Sequence, residues 1–103
     1  MTKSTIEPPY YAVIFTSVRT QDDEGYNATA ERMLALASEQ AGFLGAESAR
    51  EQVGITVSYW RDLDAIKNWK KHSEHQLAQQ RGRANWYQSY TVRIAKVERE
   101  YSF

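Results

Sequence analysis

The segment Tyr10–Val18, YYAVIFTSV, constrains this chain more than any other. Its β-branched and aromatic residues suit a pleated strand. Successive strand side chains point to opposite faces, so Tyr10, Ala12, Ile14, Thr16 and Val18 share one face. Tyr11, Val13, Phe15 and Ser17 share the other. Both sets are largely apolar, and a strand that is apolar on both faces must be covered on both. With 103 residues the chain makes a single domain, so few elements are at hand to provide that cover.

Periodicity supplies the other elements. Arg19–Gly25 is a polar loop, and Tyr26–Gln40 then places Tyr26, Ala30, Met33, Leu34 and Ala37 at helical spacing, with Gly42 as a stop signal. Phe43–Glu51 and Ile55–Trp60 read as the two arms of a hairpin punctuated by Val53–Gly54. Asp62 or Asp64 can cap a helical region from about Leu63 to Trp86, because a carboxylate accepts from the free N–H groups of a first turn. A break is expected near His72–Ser73 or at Gly82. The last strand spans about Gln88–Glu100, with Tyr90, Val92 and Ile94 on one side. Ala95 and Val97 fall on the other, which predicts a bulge or twist between them. Residues 1–9 read as a flexible arm before a single domain over 10–103.

The order β-α-β-β-α-β is the split-βαβ, ferredoxin-like arrangement of the α+β class. Right-handed crossovers place both helices on one face of a four-stranded antiparallel sheet. The opposite face then has no cover within the chain. A second copy is the simplest cover, so a homodimer packed sheet to sheet is expected.

Composition excludes several functions. Residues 1–60 carry four Lys/Arg against eight Asp/Glu, and residues 61–83 carry six against three. That basic excess is too weak to predict nucleic-acid binding. No apolar run approaches the ~20 residues of a membrane span, and the opening MTKSTIEPPY lacks the apolar core of a secretory signal. The absence of Cys removes disulfides, iron–sulfur clusters and thiol catalysis, and a cytoplasmic location is expected.

Tyr59–Tyr90 concentrates the chemistry: it holds all three Trp and both His. Aromatic walls with a base that titrates near neutrality suit a planar aromatic guest. On an unbroken helix Asn68, His72, His75 and Gln79 fall within about 60° of one another, opposite Leu63, Ile66 and Leu77. The two His then face water, whereas a break near His72 would turn one inward. Metal binding is not expected, since His72, Glu74 and His75 have no further ligand at a recognisable spacing. No phosphate loop, GxSxG elbow or dinucleotide fingerprint occurs. Trp69 flanks the apolar stripe of its helix and fits either a core or a ligand wall. Trp60 ends a strand as a packing or dimer residue, Trp86–Tyr87 staple a helix-to-strand junction, and Arg81 and Arg83 flank Gly82.

The run Tyr59–Trp60, Ala65–Ile66, Asn68–Trp69, His72, His75, Ala78–Gln79, Gly82–Arg83 and Trp86–Tyr87, continued by Tyr90, Arg93 and Val97–Glu98, resembles the antibiotic biosynthesis monooxygenase family. The likeness covers about residues 10–101. It implies a dimeric α/β barrel with a cavity between sheet and helices in each protomer. Some relatives oxygenate polycyclic phenols with O₂ and no cofactor, and others bind and degrade haem. The haem-degrading relatives use an Asn on the first strand, a Trp on this helix and a His ten residues later. Trp69 matches the Trp, but Gln79 holds the later position and the first strand has no Asn. The resemblance therefore implies a monooxygenase without a bound cofactor, acting on a small aromatic ligand. His75 or His72 would be the base, Asn68 and Trp69 positioners and Arg83 an electrostatic helper, with Trp60, Trp86 and Tyr59 against the substrate. A non-enzymatic dimer that binds a small hydrophobic ligand, or a haem-binding or haem-degrading protein, is the alternative.

Overall fold

The computed structural model describes residues 7–21, 25–78 and 86–103, the side chains of 75–78 excepted. The chain runs β1 (Tyr10–Arg19), α1 (Tyr26–Ser38), β2 (Phe43–Arg50), β3 (Gly54–Trp60), α2 (Leu63–Ala78) and β4 (Tyr87–Val97). The strands form an antiparallel sheet in the order β2-β3-β1-β4. This is the expected ferredoxin-like α+β fold. Residues 1–6 of the expected arm lie outside the described residues, as does Gly82. Among the described residues no helix is long and apolar enough to cross a membrane.

Register assigns the two faces. Tyr11 pairs with Trp60 and Val13 with Ser58 on the side that meets the helices. There Trp60, Ala37, Ala65 and Ile66 make the buried core, with Tyr11, Val13, Phe43 and Trp69 packed around it. Ala12 pairs with Tyr59 and Ile14 with Val57 on the opposite, open face. Ile14, Thr16 and Val18 remain half-buried in the single chain, and Ile55 is exposed.

The helices depart from expectation in instructive ways. On α1, Leu34 faces out and Leu36 turns half inward beside the buried Ala37. Asp62 caps α2, its Oδ1 accepting from the Ala65 N–H at 2.7 Å. The expected break at His72–Ser73 is absent: α2 runs through both residues, and the Ser73 hydroxyl donates back to the Lys70 carbonyl at 3.0 Å. The buried stripe of α2 is also rotated. Ala65, Ile66 and Trp69 face the sheet, while Leu63 is exposed. Gly42 explains the rotation. Any Cβ there would collide with the Ala65 methyl, so the glycine lets the small face of α2 descend onto the start of β2. Its φ of +87° also favours glycine. Gly42 is therefore a close-approach residue rather than the stop of α1, which ends at Ser38.

The expected irregularity between Ile94 and Ala95 is likewise absent, since β4 pairs with β1 without interruption from Ser89 to Val97. Ala95 and Val97 simply occupy the open face with Thr91 and Arg93. The register shift lies at the other end of the strand. There Val18 meets Ser89 and Arg19 meets Tyr87, leaving Gln88 as an extra residue.

Candidate active site

Three rings form a stack on the helix side of the sheet. Trp60, fully buried at the end of β3, donates its indole N–H to the Ser58 hydroxyl at 2.9 Å. Trp69 of α2 stacks on it with ring centres 6.0 Å apart and planes 23° from parallel. His72 follows one turn later, 5.8 Å from Trp69. A residue three places on lies about 60° around the helix, so His72 sits on the shoulder of the buried stripe. Although α2 is unbroken, His72 is half-buried rather than turned to water. Its Nε2 is buried and has no hydrogen-bond partner among the described residues.

On the same side of the sheet, the helices sit over β2 and β3. Register puts Tyr90, Val92 and Ile94 of the edge strand β4 on this helix-facing side, opposite Ser17, Phe15 and Val13. All three are half-exposed or more. A single edge strand thus presents an apolar floor below the helical layer. The sequence shows these residues as a stripe, but not that the helices leave them bare.

One end of this floor is an aromatic and cationic cluster. Phe15 stacks on Tyr90 at 5.5 Å and meets Tyr87 edge-on at 5.5 Å. Tyr87 donates to the hydroxyl of Tyr26, the first residue of α1, at 3.1 Å. Trp86 is buried and meets Tyr26 edge-on. The Arg19 guanidinium lies 3.6 Å above the Tyr26 ring, and that of Arg50 lies 5.7 Å from it. Burial, followed by the hydrogen bond to Tyr26, holds the Tyr87 phenol well above its ordinary range. The two guanidiniums partly oppose that shift. Val18, Arg19, Gln21, Arg50, Glu51, Gln52 and Gln88 line an open groove of about 680 Å³ at this end, and His72 is not among its lining residues.

The sequence candidates scatter. Trp60, Trp69 and His72 come together. Asn68 is exposed, away from the stack. His75 belongs to α2, but its side chain lies outside the described residues, and Arg83 lies outside them altogether. Trp86 is a staple at the far end of the floor. Tyr59 points to the open face, where its ring meets that of Tyr10 at 5.8 Å and its hydroxyl donates to Glu47 at 2.5 Å. Adjacent strand residues point oppositely, so Tyr59 and Trp60 cannot share a site within one chain. Phe15, Tyr26, Arg19 and Arg50, which meet in this cluster, were not among the sequence candidates. Their signal is long-range register, which no local pattern contains. Among the described residues no group of three His, Asp or Glu side chains is placed to hold a metal. The donor set also fits haem poorly: where the haem-degrading relatives carry a ligating His, this chain has Gln79, whose carboxamide is a weak ligand for iron.

Comparison with known proteins agrees with this architecture. The chain is 59% identical over 101 residues to the uncharacterized protein YqjZ of Bacillus subtilis (strain 168), covering 96% of this chain and 89% of that protein. It superimposes on SnoaB of Streptomyces nogalater, described as a cofactor-independent oxygenase, with a TM-score of 0.65 at 16% identity, covering 92% of this chain and 97% of that one. PA3566 of Pseudomonas aeruginosa matches with a TM-score of 0.68 at 20% identity, over 91% of this chain and 97% of that one. The two structural likenesses establish a shared fold. The family described as antibiotic biosynthesis monooxygenase matches residues 9–81, and the chain belongs to that family.

Proposed function

We propose that this protein is a monooxygenase that oxygenates an aromatic, phenol- or quinol-type substrate with O₂ and without a bound cofactor, using His72 as the base. One observation carries the reading: the His72 imidazole is held against Trp69 with a buried Nε2 that has no hydrogen-bond partner among the described residues. Leaving a buried polar atom unpaired costs about 1–3 kcal/mol. Such a cost is typical of groups kept ready for a ligand. With the proton on Nδ1, Nε2 keeps a lone pair for a substrate proton.

The chemistry needs little else from the protein. An activated C–H or O–H gives its proton to His72, leaving an electron-rich anion. That anion passes an electron to O₂, the resulting radicals combine to form a C–O bond, and the peroxide anion takes the proton back from His72 to give a hydroperoxide. From an activated CH₂ the hydroperoxide loses water and leaves a carbonyl, so R₂CH₂ and O₂ become R₂C=O and H₂O. Trp69 walls the substrate, and the Tyr90–Val92–Ile94 floor gives its rings an apolar surface to lie on. The description of SnoaB as cofactor-independent supports the absence of a resident cofactor. The half-buried apolar residues of the open face support a homodimer closed sheet to sheet, with one site per protomer. Oxygen uptake with a panel of anthrones and hydroquinones tests the reading. Wild-type protein is expected to consume O₂ with at least one of them, and His72→Ala to lower that rate by about 10²–10⁴. Unchanged turnover in His72→Ala removes the base assignment, and silence of the wild type across the panel removes the activity.

A further inference from the structure

We propose that Tyr26 and Tyr87 form the polar end of the site and read an oxygen atom on one end of an otherwise apolar, fused-ring ligand, with Arg50 as the positioning residue behind them. The inference rests on the aromatic-substrate reading above and specifies how such a substrate is oriented.

Geometry places the phenol pair where the apolar floor stops. Tyr90, Val92 and Ile94 alternate along β4 and span about 13 Å, enough for a body of two or three fused rings. Beyond Tyr90 the Gln88 bulge returns Tyr87 to the same face, so its ring meets both Phe15 and Tyr90. The Tyr87 hydroxyl spends its hydrogen on Tyr26. Tyr26 thus accepts one hydrogen bond, and among the described residues its own O–H has no acceptor, which leaves it for a ligand. Hydrogen bonds in series polarise one another, which strengthens this terminal donor.

The surrounding charge selects for oxygen that carries negative character. Arg19 and Arg50 both lie against the Tyr26 ring, and fixed positive charge beside a donor favours a phenolate or a developing oxyanion. Arg50 is held there by a specific device. Arg50, Gly54 and Ser17 lie abreast on β2, β3 and β1. The Arg50 side chain crosses over Gly54 and donates to the Ser17 hydroxyl at 2.5 Å, and Ser17 is buried. A Cβ on Gly54 would collide with that guanidinium. The glycine therefore keeps open the track along which Arg50 reaches the phenol pair.

The test uses the full chain, with 2-naphthol and naphthalene as probes in equilibrium dialysis. The two share one body and differ by a single hydroxyl. Wild-type protein is expected to bind 2-naphthol about tenfold more tightly, the scale of one hydrogen bond in a charged setting. Tyr26→Phe, which removes the donor, should abolish that preference, and Tyr87→Phe, which removes only the hydrogen bond that polarises it, should lower it severalfold. Gly54→Ala, which displaces the Arg50 guanidinium without removing its charge, should lower the preference severalfold, and Arg50→Met should do the same should Gly54→Ala not fold. Circular dichroism and thermal melting establish that each variant is folded. Equal binding of the two probes by the wild type, or a preference that survives Tyr26→Phe, overturns the proposal while leaving the aromatic site intact. Unchanged preference in Gly54→Ala and Arg50→Met overturns the role of Arg50. Failure of both probes to bind overturns the aromatic-substrate reading and this inference with it.

Discussion

Trp69 lies on Trp60 with ring centres 6.0 Å apart, joining α2 to β3 across the core. Trp60 is fully buried, and its indole N–H is satisfied by Ser58. Trp60→Ala should destabilise the fold by about 3–5 kcal/mol, the range for removing a buried Trp. Trp60→Phe should cost less, because it keeps part of the ring surface facing Phe43 and Trp69. Urea unfolding followed by circular dichroism measures both.

Gly42→Ala should destabilise the protein by about 1–3 kcal/mol through overpacking against Ala65, with further strain from the positive φ. Because α2 would have to lift, the Trp60–Trp69 contact should loosen as well. A lower urea midpoint together with a shift in tryptophan emission is the expected result.

Tyr59 provides a pH-dependent signature on the open face. The hydrogen bond to Glu47, then burial, then the Glu47 charge push its phenol up to about 12 from the ordinary 10. The fold therefore favours the neutral phenol. This contribution to stability is complete below pH 10 and is lost as the pH rises from 10 through 12. Tyr10, whose hydroxyl donates to Glu100, behaves in the same way, with a phenol near 12. In ultraviolet titration two of the seven tyrosines should ionise near pH 12 by this cause. In Glu47→Gln the Tyr59 ionisation should move back toward 10.

Ile14 and Val57 are cross-strand partners in the middle of the open face. In a homodimer closed through that face they lie at the interface, and Val57→Lys would bury an unpaired ammonium there. Sedimentation velocity at micromolar concentration is expected to give a dimer for the wild type and a monomer for Val57→Lys. A monomeric wild type would remove the dimer.

Much of the fold was legible because its signals are local. The β-branched and aromatic run Tyr10–Val18 identified a strand, and β1 spans Tyr10–Arg19. A cap at Asp62 or Asp64 was readable because capping is settled within four residues, and Asp62 is the one that caps. The helical faces were less legible. Leu63 was expected inward and is exposed, since the roll of α2 is set by the Gly42–Ala65 approach between segments distant in sequence. The His72 side chain was legible as a candidate, but its burial was not, for the same reason.

The sequence by itself determined the order of elements, the edges of the hairpin and a segment rich in Trp and His, because propensity, capping and alternation act over a few residues. Tertiary structure alone decided which distant residues meet. A strand alternates strictly, so Tyr87 and Tyr90 should point to opposite faces. The one-residue bulge at Gln88, forced where β4 meets the end of β1, turns Tyr87 onto the face of Phe15 and Tyr26. Likewise Arg50 reaches Ser17 only because three strands bring Arg50, Gly54 and Ser17 into one row. Contacts of this kind depend on register between distant segments, and no local reading of the chain contains that information.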